Sequence, residues 1–203
     1  MHPNRAFHSS DRAAMLGFVA EVAFAHIFAM TPNGPRVAHA PVLVTPQGHL
    51  RFHLARSNAL ARYLDGAAAV ASLAGPDAYI SPDWYGSADQ VPTWNYLAVE
   101  VEGPVRRLEE SDLVALLDGL SAGQEARLQP KPAWTRAKMT PGRFDAMLPA
   151  IHAFELSVET LRGTEKMGQN KSAAEMAGAA AGLDAAGHGD VAALMRRYAE
   201  ARP

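Results

Sequence analysis

The apolar stretches between residues 23 and 54 are short, and each ends in a cluster of turn formers. Residues 23–30 run into Thr31-Pro32-Asn33-Gly34-Pro35, and residues 37–45 run into Pro46-Gln47-Gly48. Leu50, Phe52 and Leu54 then alternate with Arg51 and His53. Segments of this length, punctuated by Pro, Asn and Gly, predict three strands of an antiparallel meander. The pattern returns at 94–108, where Leu97, Val99 and Val101 are apolar and Glu100 and Glu102 polar. It returns again at 151–161, where Phe154, Leu156 and Val158 should face inward and Glu155, Ser157 and Glu159 outward. Residues 67–73 and 78–81 are further strand candidates, and Gly103-Pro104 predicts a bulge at an edge.

Helical periods fill the remaining chain. Met15, Leu16, Phe18, Val19 and Val22 form one stripe over 11–22, with Ser10 or Asp11 as N-cap. Arg56-Ser57-Asn58 opens a short helical stretch to Leu64, closed by Asp65-Gly66. Ser111 caps a helix carrying Leu113, Leu116, Leu117 and Leu120, and 144–148 is a brief helix before Pro149. From Ser172 the chain is alanine-rich and helical, interrupted near Gly187-His188-Gly189 and restarted by Asp190. Six or seven strands with peripheral helices and no β-α-β alternation predict a mainly β, α+β fold built on an antiparallel sheet or barrel. With 203 residues, one domain over 1–203 is expected, its helical tail running from about 172 to 203.

Composition removes several kinds of chemistry. With no cysteine, there is no disulfide scaffold, thiolate nucleophile, iron–sulfur cluster or Cys-based zinc site. A formal charge of -2 lacks the polybasic footprint of a protein that grips nucleic acid unaided. No GxGxxG follows a first strand, GxxxxGK[ST] and HExxH are missing, and no GxSxG elbow stands between a strand and a helix, so no dinucleotide, P-loop, serine-elbow or zincin site is expected. His49 and His53 share a strand face with His39 on the neighbouring strand, but no carboxylate set accompanies them, and no metal is assigned. Met1-His2-Pro3-Asn4-Arg5 leads into a polar stretch without an apolar signal region, and no apolar run reaches the roughly 20 residues of a membrane span. A soluble cytoplasmic protein is the expectation.

Three stretches could carry chemistry. At Arg56-Ser57-Asn58 a strand is expected to give way to a helix, so unpaired amides, a planar guanidinium and two neutral donors would suit a monophosphate. The same residues also read as an ordinary helix cap with a solvent-facing arginine. Between Tyr79 and Tyr96 lie two of the three tryptophans and three of the five tyrosines, crowded among turn residues. They suit a flat conjugated ligand, or equally a satellite cluster pinning a long loop. Glu165 to Lys171, placed just after the last strand, is either a cationic donor-rich tip or a solvated strand-to-helix connection.

The wording of these stretches resembles the PaiB-like FMN-binding proteins described as negative transcriptional regulators. The resemblance lies in Ala38-His39-Ala40-Pro41-Val42, His53-Leu54-Ala55-Arg56-Ser57-Asn58, the run from Gly75 to Tyr85 containing Ala78-Tyr79-Ile80-Ser81-Pro82, Val91-Pro92-Thr93-Trp94-Asn95-Tyr96, and Lys166-Met167-Gly168-Gln169-Asn170-Lys171. It implies the FMN-binding split β-barrel, normally a homodimer with flavin at the subunit interface. It also implies FMN as cofactor, with Arg56, Ser57 and Asn58 on the phosphate. Trp94, Asn95 and Tyr96 would lie near the flavin or dimer seam, with Gln169, Asn170 and Lys171 reaching it, and His39 belongs to the same set. The family usually reads His-Leu-Pro-Phe where this chain has His39-Ala40-Pro41-Val42, and Ser-Gln-Asn-Arg where it has Gly168-Gln169-Asn170-Lys171. Lys keeps the charge of Arg but loses its bidentate fork.

The function expected from the resemblance is a dimeric flavin redox or sensor protein, with a flavin-dependent oxidoreductase as the enzyme class. No catalytic acid or base stands out in the sequence. Two alternatives stand beside it: a cofactor-free split-barrel interaction module, and a transcriptional regulator acting through DNA or a partner. For the latter the residues offer only Arg196-Arg197 as a basic pair at a helix end.

Overall fold

The computed structural model describes residues 2–201. They form eight strands: β1 (His8–Ser9), β2 (Phe24–Thr31), β3 (Gly34–Val44), β4 (Leu50–Ala55), β5 (Ala68–Ile80), β6 (Thr93–Arg107), β7 (Ile151–Leu156) and β8 (Thr160–Lys166). Five α-helices accompany them: α1 (Arg12–Val22), α2 (Glu110–Glu125), α3 (Arg143–Met147), α4 (Ala173–Ala185) and α5 (Gly189–Glu200). The strand order is β1-β8-β6-β5-β2-β3-β4-β7, and β6 also pairs with β7. The pairings β1–β8, β2–β3, β2–β5, β3–β4, β4–β7 and β6–β7 are antiparallel. The mainly β, antiparallel architecture with peripheral helices is thus the one the alternating pattern predicts. Among the described residues no helix is long and apolar enough to cross a membrane.

The chain packs as two compact units, one made of residues 16–73 and 100–161, the other of residues up to 15, 74–99 and from 162 onward. In the first unit the predicted meander is present, with His26 opposite His39 and Val42 opposite Phe52. Alternate residues Ala25, Ile27 and Ala29 of β2 and Leu50, Phe52 and Leu54 of β4 are buried, as a period of two requires. Phe52 pairs with Phe154 of β7, their rings stacked at 5.6 Å. On the other face α2 presents Leu113, Leu116 and Leu120 to Leu108, Leu148 and Ala153.

Several local expectations are corrected in this unit. Residues 56–66 are a series of turns and not a helix. Glu109, not Ser111, is the N-cap of α2 and makes no side-chain cap bond. The apolar run at 151–161 is two strands, β7 ending at Leu156 and β8 starting at Thr160. β6 is flanked by β8 and β5 and also pairs with β7, so Gly103-Pro104 is not at an edge. Gly103 is there for close approach: a Cβ would overlap the carbonyl oxygen of Ser157. That crossing is held by Ser157 N–H on the Pro104 carbonyl and Glu159 N–H on the Glu102 carbonyl, both 2.9 Å.

The segments predicted as separate strands at 67–73 and 78–81 prove to be parts of one strand, β5, which continues through Gly75-Pro76. β1 pairs with β8, so Glu165 and Lys166 lie inside a strand rather than after the last one. The alanine-rich tail forms α4 and α5. Met176, Ala179, Leu183, Val191 and Met195 bury against Ile80, Tyr85 and Met167. α4 starts with a capping box, Ser172 and Glu175 each bonding the other's backbone. The N-cap of α5 is His188 and not Asp190. Gly178 and Gly182 of α4 lie flat against Trp84, where any side chain would collide with its carbonyl or its ring.

Candidate functional site

β4 ends at Ala55, opposite Ile151 of β7, and the chain turns sharply at Arg56. The Arg56 N–H donates to the Ala150 carbonyl at 2.9 Å. Its side chain folds against the same segment: Nε donates to His152 Nε2 at 3.2 Å and Nη1 to the Pro149 carbonyl at 3.0 Å. Nη2 has no partner among the described residues. The guanidinium is therefore held on one edge and open on the other, beside the exposed Ser57. The Asn58 carbonyl oxygen accepts from Leu60 N–H at 2.9 Å, which turns its amide NH2 outward as a donor.

A cavity of about 240 Å³ adjoins this corner, lined by Arg56, Arg107, His152, Glu109 and Glu110 among others. Burial, reinforced by Arg107 and Arg56, pushes the His152 pKa down. The neutral ring accepts at Nε2 from Arg56, which places its proton on Nδ1. His152 and Arg107 were not among the sequence candidates. Only the pairing of β4 with β7 brings His152 to Arg56, and a single sequence does not display that pairing.

His39 belongs to the same unit but sits on the exposed face of β3. Its ring meets His26 edge-on at 4.9 Å. Around it the outward face of β2 and β3 is apolar, with Phe24, Phe28, Met30 and Val37 between 43% and 68% exposed.

The remaining candidates lie in the second unit. Trp94 and Tyr96 share one face of β6, while Asn95 points to the other, fully buried, with its amide 3.4 Å from the sulfur of Met195. Trp94 Nε1 donates to Asp77 at 2.8 Å and its ring stands edge-on to Tyr79 at 6.2 Å, leaving both rings about half exposed. Gln169 is tied to its own backbone, accepting from Met167 N–H and donating to the Glu165 carbonyl. Asn170 is exposed. Lys171 bonds Gln90 and lies 4.7 Å over the Tyr85 ring. The carboxylate of Glu175 accepts from Ser172 N–H, from Ser87 and from Gln90, and the bonds from Ser172 and Ser87, the Ser172 backbone first, hold its pKa at about 2. Asn95 and Gln169 thus have partners within the chain, and Trp94 and Tyr79 are about half exposed.

These features agree with what the chain is similar to. It is 27% identical over 176 residues to the Protease synthase and sporulation protein PAI 2 of Bacillus subtilis, covering 85% of this chain and 84% of that one. Its fold is that of an FAD and heme binding protein from Mycobacterium smegmatis, with a TM-score of 0.57 and 18% identity over 79% of this chain and 74% of the other. It is likewise that of the flavocytochrome Anf3 from Azotobacter vinelandii, with a TM-score of 0.58 and 18% identity over 81% and 72% of the two chains. Residues 1–160 match the family described as "Putative FMN-binding domain", and the chain belongs to that family.

Proposed function

We propose that this protein binds a flavin, FMN in particular, and acts as a dimeric flavin redox or sensor protein. The observation that carries the reading is the Arg56 corner. One cation, fixed on one edge by His152 and Pro149 and open at Nη2, is followed in the chain by Ser57 and by Asn58, whose amide NH2 remains a donor. That donor set suits the terminal phosphate of FMN, a monoester with three free oxygens. Glu109 and Glu110 line the adjoining cavity beside Arg107, which favours the Ser57 and Asn58 side of Arg56 for a phosphate. Family membership and the flavin-binding structural relatives support the same cofactor.

When bound, a flavin supplies electron-transfer chemistry that no side chain here can supply. The work of this chain is to hold the phosphate and orient the ring. The apolar outward face of β2 and β3 supports the dimer, because a surface with Phe28, Met30 and Val37 this exposed gains by burial against a second copy. The test is the visible absorption of the purified protein, joined to thermal melts with added FMN. Yellow protein whose midpoint rises with FMN is expected. Colourless protein whose melt ignores FMN would refute the reading, and a monomer in sedimentation would refute the dimer.

A further inference from the structure

The segment between α2 and β7, together with His53 of β4, encloses a second cavity of about 670 Å³ in the first unit. Its size falls within the range of small-molecule sites. Its walls are apolar and aromatic, with Trp134, Phe144 and Met147 prominent. Trp134 and Met147 stay 40% and 52% exposed, more apolar surface than so short a segment leaves in water without a use. His53 Nδ1 is closed from solvent and has no hydrogen-bond partner, alone among the buried side-chain nitrogens and oxygens of the described residues. Burial lowers the pKa of this histidine, so its ring is neutral near pH 7.

The charges around the cavity do not cancel. Arg136 pairs with Asp118 at 3.3 Å and lies 5.3 Å over the Phe144 ring. Arg143 lines the same cavity with no ion pair or side-chain hydrogen bond among the described residues. One positive charge remains beside aromatic walls, and its complement is a single negative charge on a flat apolar body.

We propose that this cavity binds a small planar aromatic monocarboxylate, its ring against Phe144 and Trp134 and its carboxylate on Arg143. The cavity shares Leu148 and Ile151 with the one beside Arg56, but the inference rests on its own residues and not on the flavin reading.

Calorimetric titration of the full-length protein with 2-naphthoate, and with the neutral 2-naphthylmethanol, tests it. Naphthoate should saturate one site per chain, with the alcohol about tenfold weaker or worse, the size of one charge-assisted hydrogen bond. Arg143→Gln should reduce naphthoate to the level of the alcohol without moving the melting point, since Arg143 is exposed. Phe144→Ala should weaken both ligands, and naphthoate should shift the ring nitrogen resonances of His53. Arg56→Ala should bind naphthoate as the unaltered protein does, which separates this site from the flavin corner. The proposal is overturned if naphthoate does not saturate, if acid and alcohol bind equally, or if FMN displaces naphthoate competitively.

Discussion

The carboxylate of Glu155 lies 2.7 Å from Nε of Arg51, a residue 104 positions earlier in the chain. Arg106 approaches its other oxygen at 2.7 Å, and Arg51 reaches on to Asp112 at 3.0 Å. Glu155 itself is buried. Burial alone would raise its pKa, but the bonds from Arg51 and Arg106 together outweigh that and hold it below the ordinary value of 4.5. A depressed folded pKa contributes stability that is full above the unfolded value and is lost as pH falls through the folded one. Acid unfolding should therefore begin below about pH 4.5, and Glu155→Ala should flatten that limb. Removing the carboxylate leaves half-exposed Arg106 without its partner and Arg51 with Asp112 alone, and should cost about 2 kcal/mol in urea unfolding at neutral pH.

Arg56→Ala should weaken flavin binding by about tenfold to a hundredfold, the range for one charge-assisted contact. Fluorescence titration with FMN measures it. Arg56→Lys should fall between the two, because a point charge cannot hold His152, Pro149 and a phosphate together.

Two glycines should respond in opposite directions to the same substitution. Gly103→Ala drives a methyl group into the Ser157 backbone and should cost about 3 kcal/mol, the upper end for overpacking where no side chain can give way. Gly123→Ala, in α2 with open space at the Cβ position, should gain roughly 0.5–1 kcal/mol from helix propensity. Thermal melts of the two variants decide the matter.

Tyr198 donates to Glu165 at 2.6 Å, and burial first, then that bond, raises its pKa well above the usual 10.0. A raised folded pKa contributes stability that is full below the unfolded value and is lost as pH rises through the folded one. Melting points should thus fall above pH 10, and Tyr198→Phe should remove part of that fall. At neutral pH the same variant should cost about 1 kcal/mol, since the group is only half buried.

Much of the fold was legible in residue order because burial imposes a period. The strands β4 and β6 and the helices α1 and α2 carry an apolar period, while β2 and β3 are marked by the turn formers that end them and α4 by its alanine content. Where the predictions missed, neighbours overrode local propensity. Gly75-Pro76 reads as a break, yet β5 passes through it. The alternation over 151–161 reads as one strand, yet the chain changes course after Leu156, where Gly103 lets the backbones cross. β1, two residues long, is too short to show any period.

For the site, the sequence by itself determined which chemistry was on hand: Arg56, Ser57 and Asn58 as donors, aromatic rings between 79 and 96, and no thiol at all. Tertiary structure alone decided which of these groups are free to act. Pairing of β4 with β7 set His152 against Arg56, and packing buried Asn95 against Met195 and tied Gln169 to its own backbone. It also brought Glu155 between Arg51 and Arg106. The physical reason is that a side chain's type is local, while its burial, its partners and its charge state depend on residues many tens of positions away.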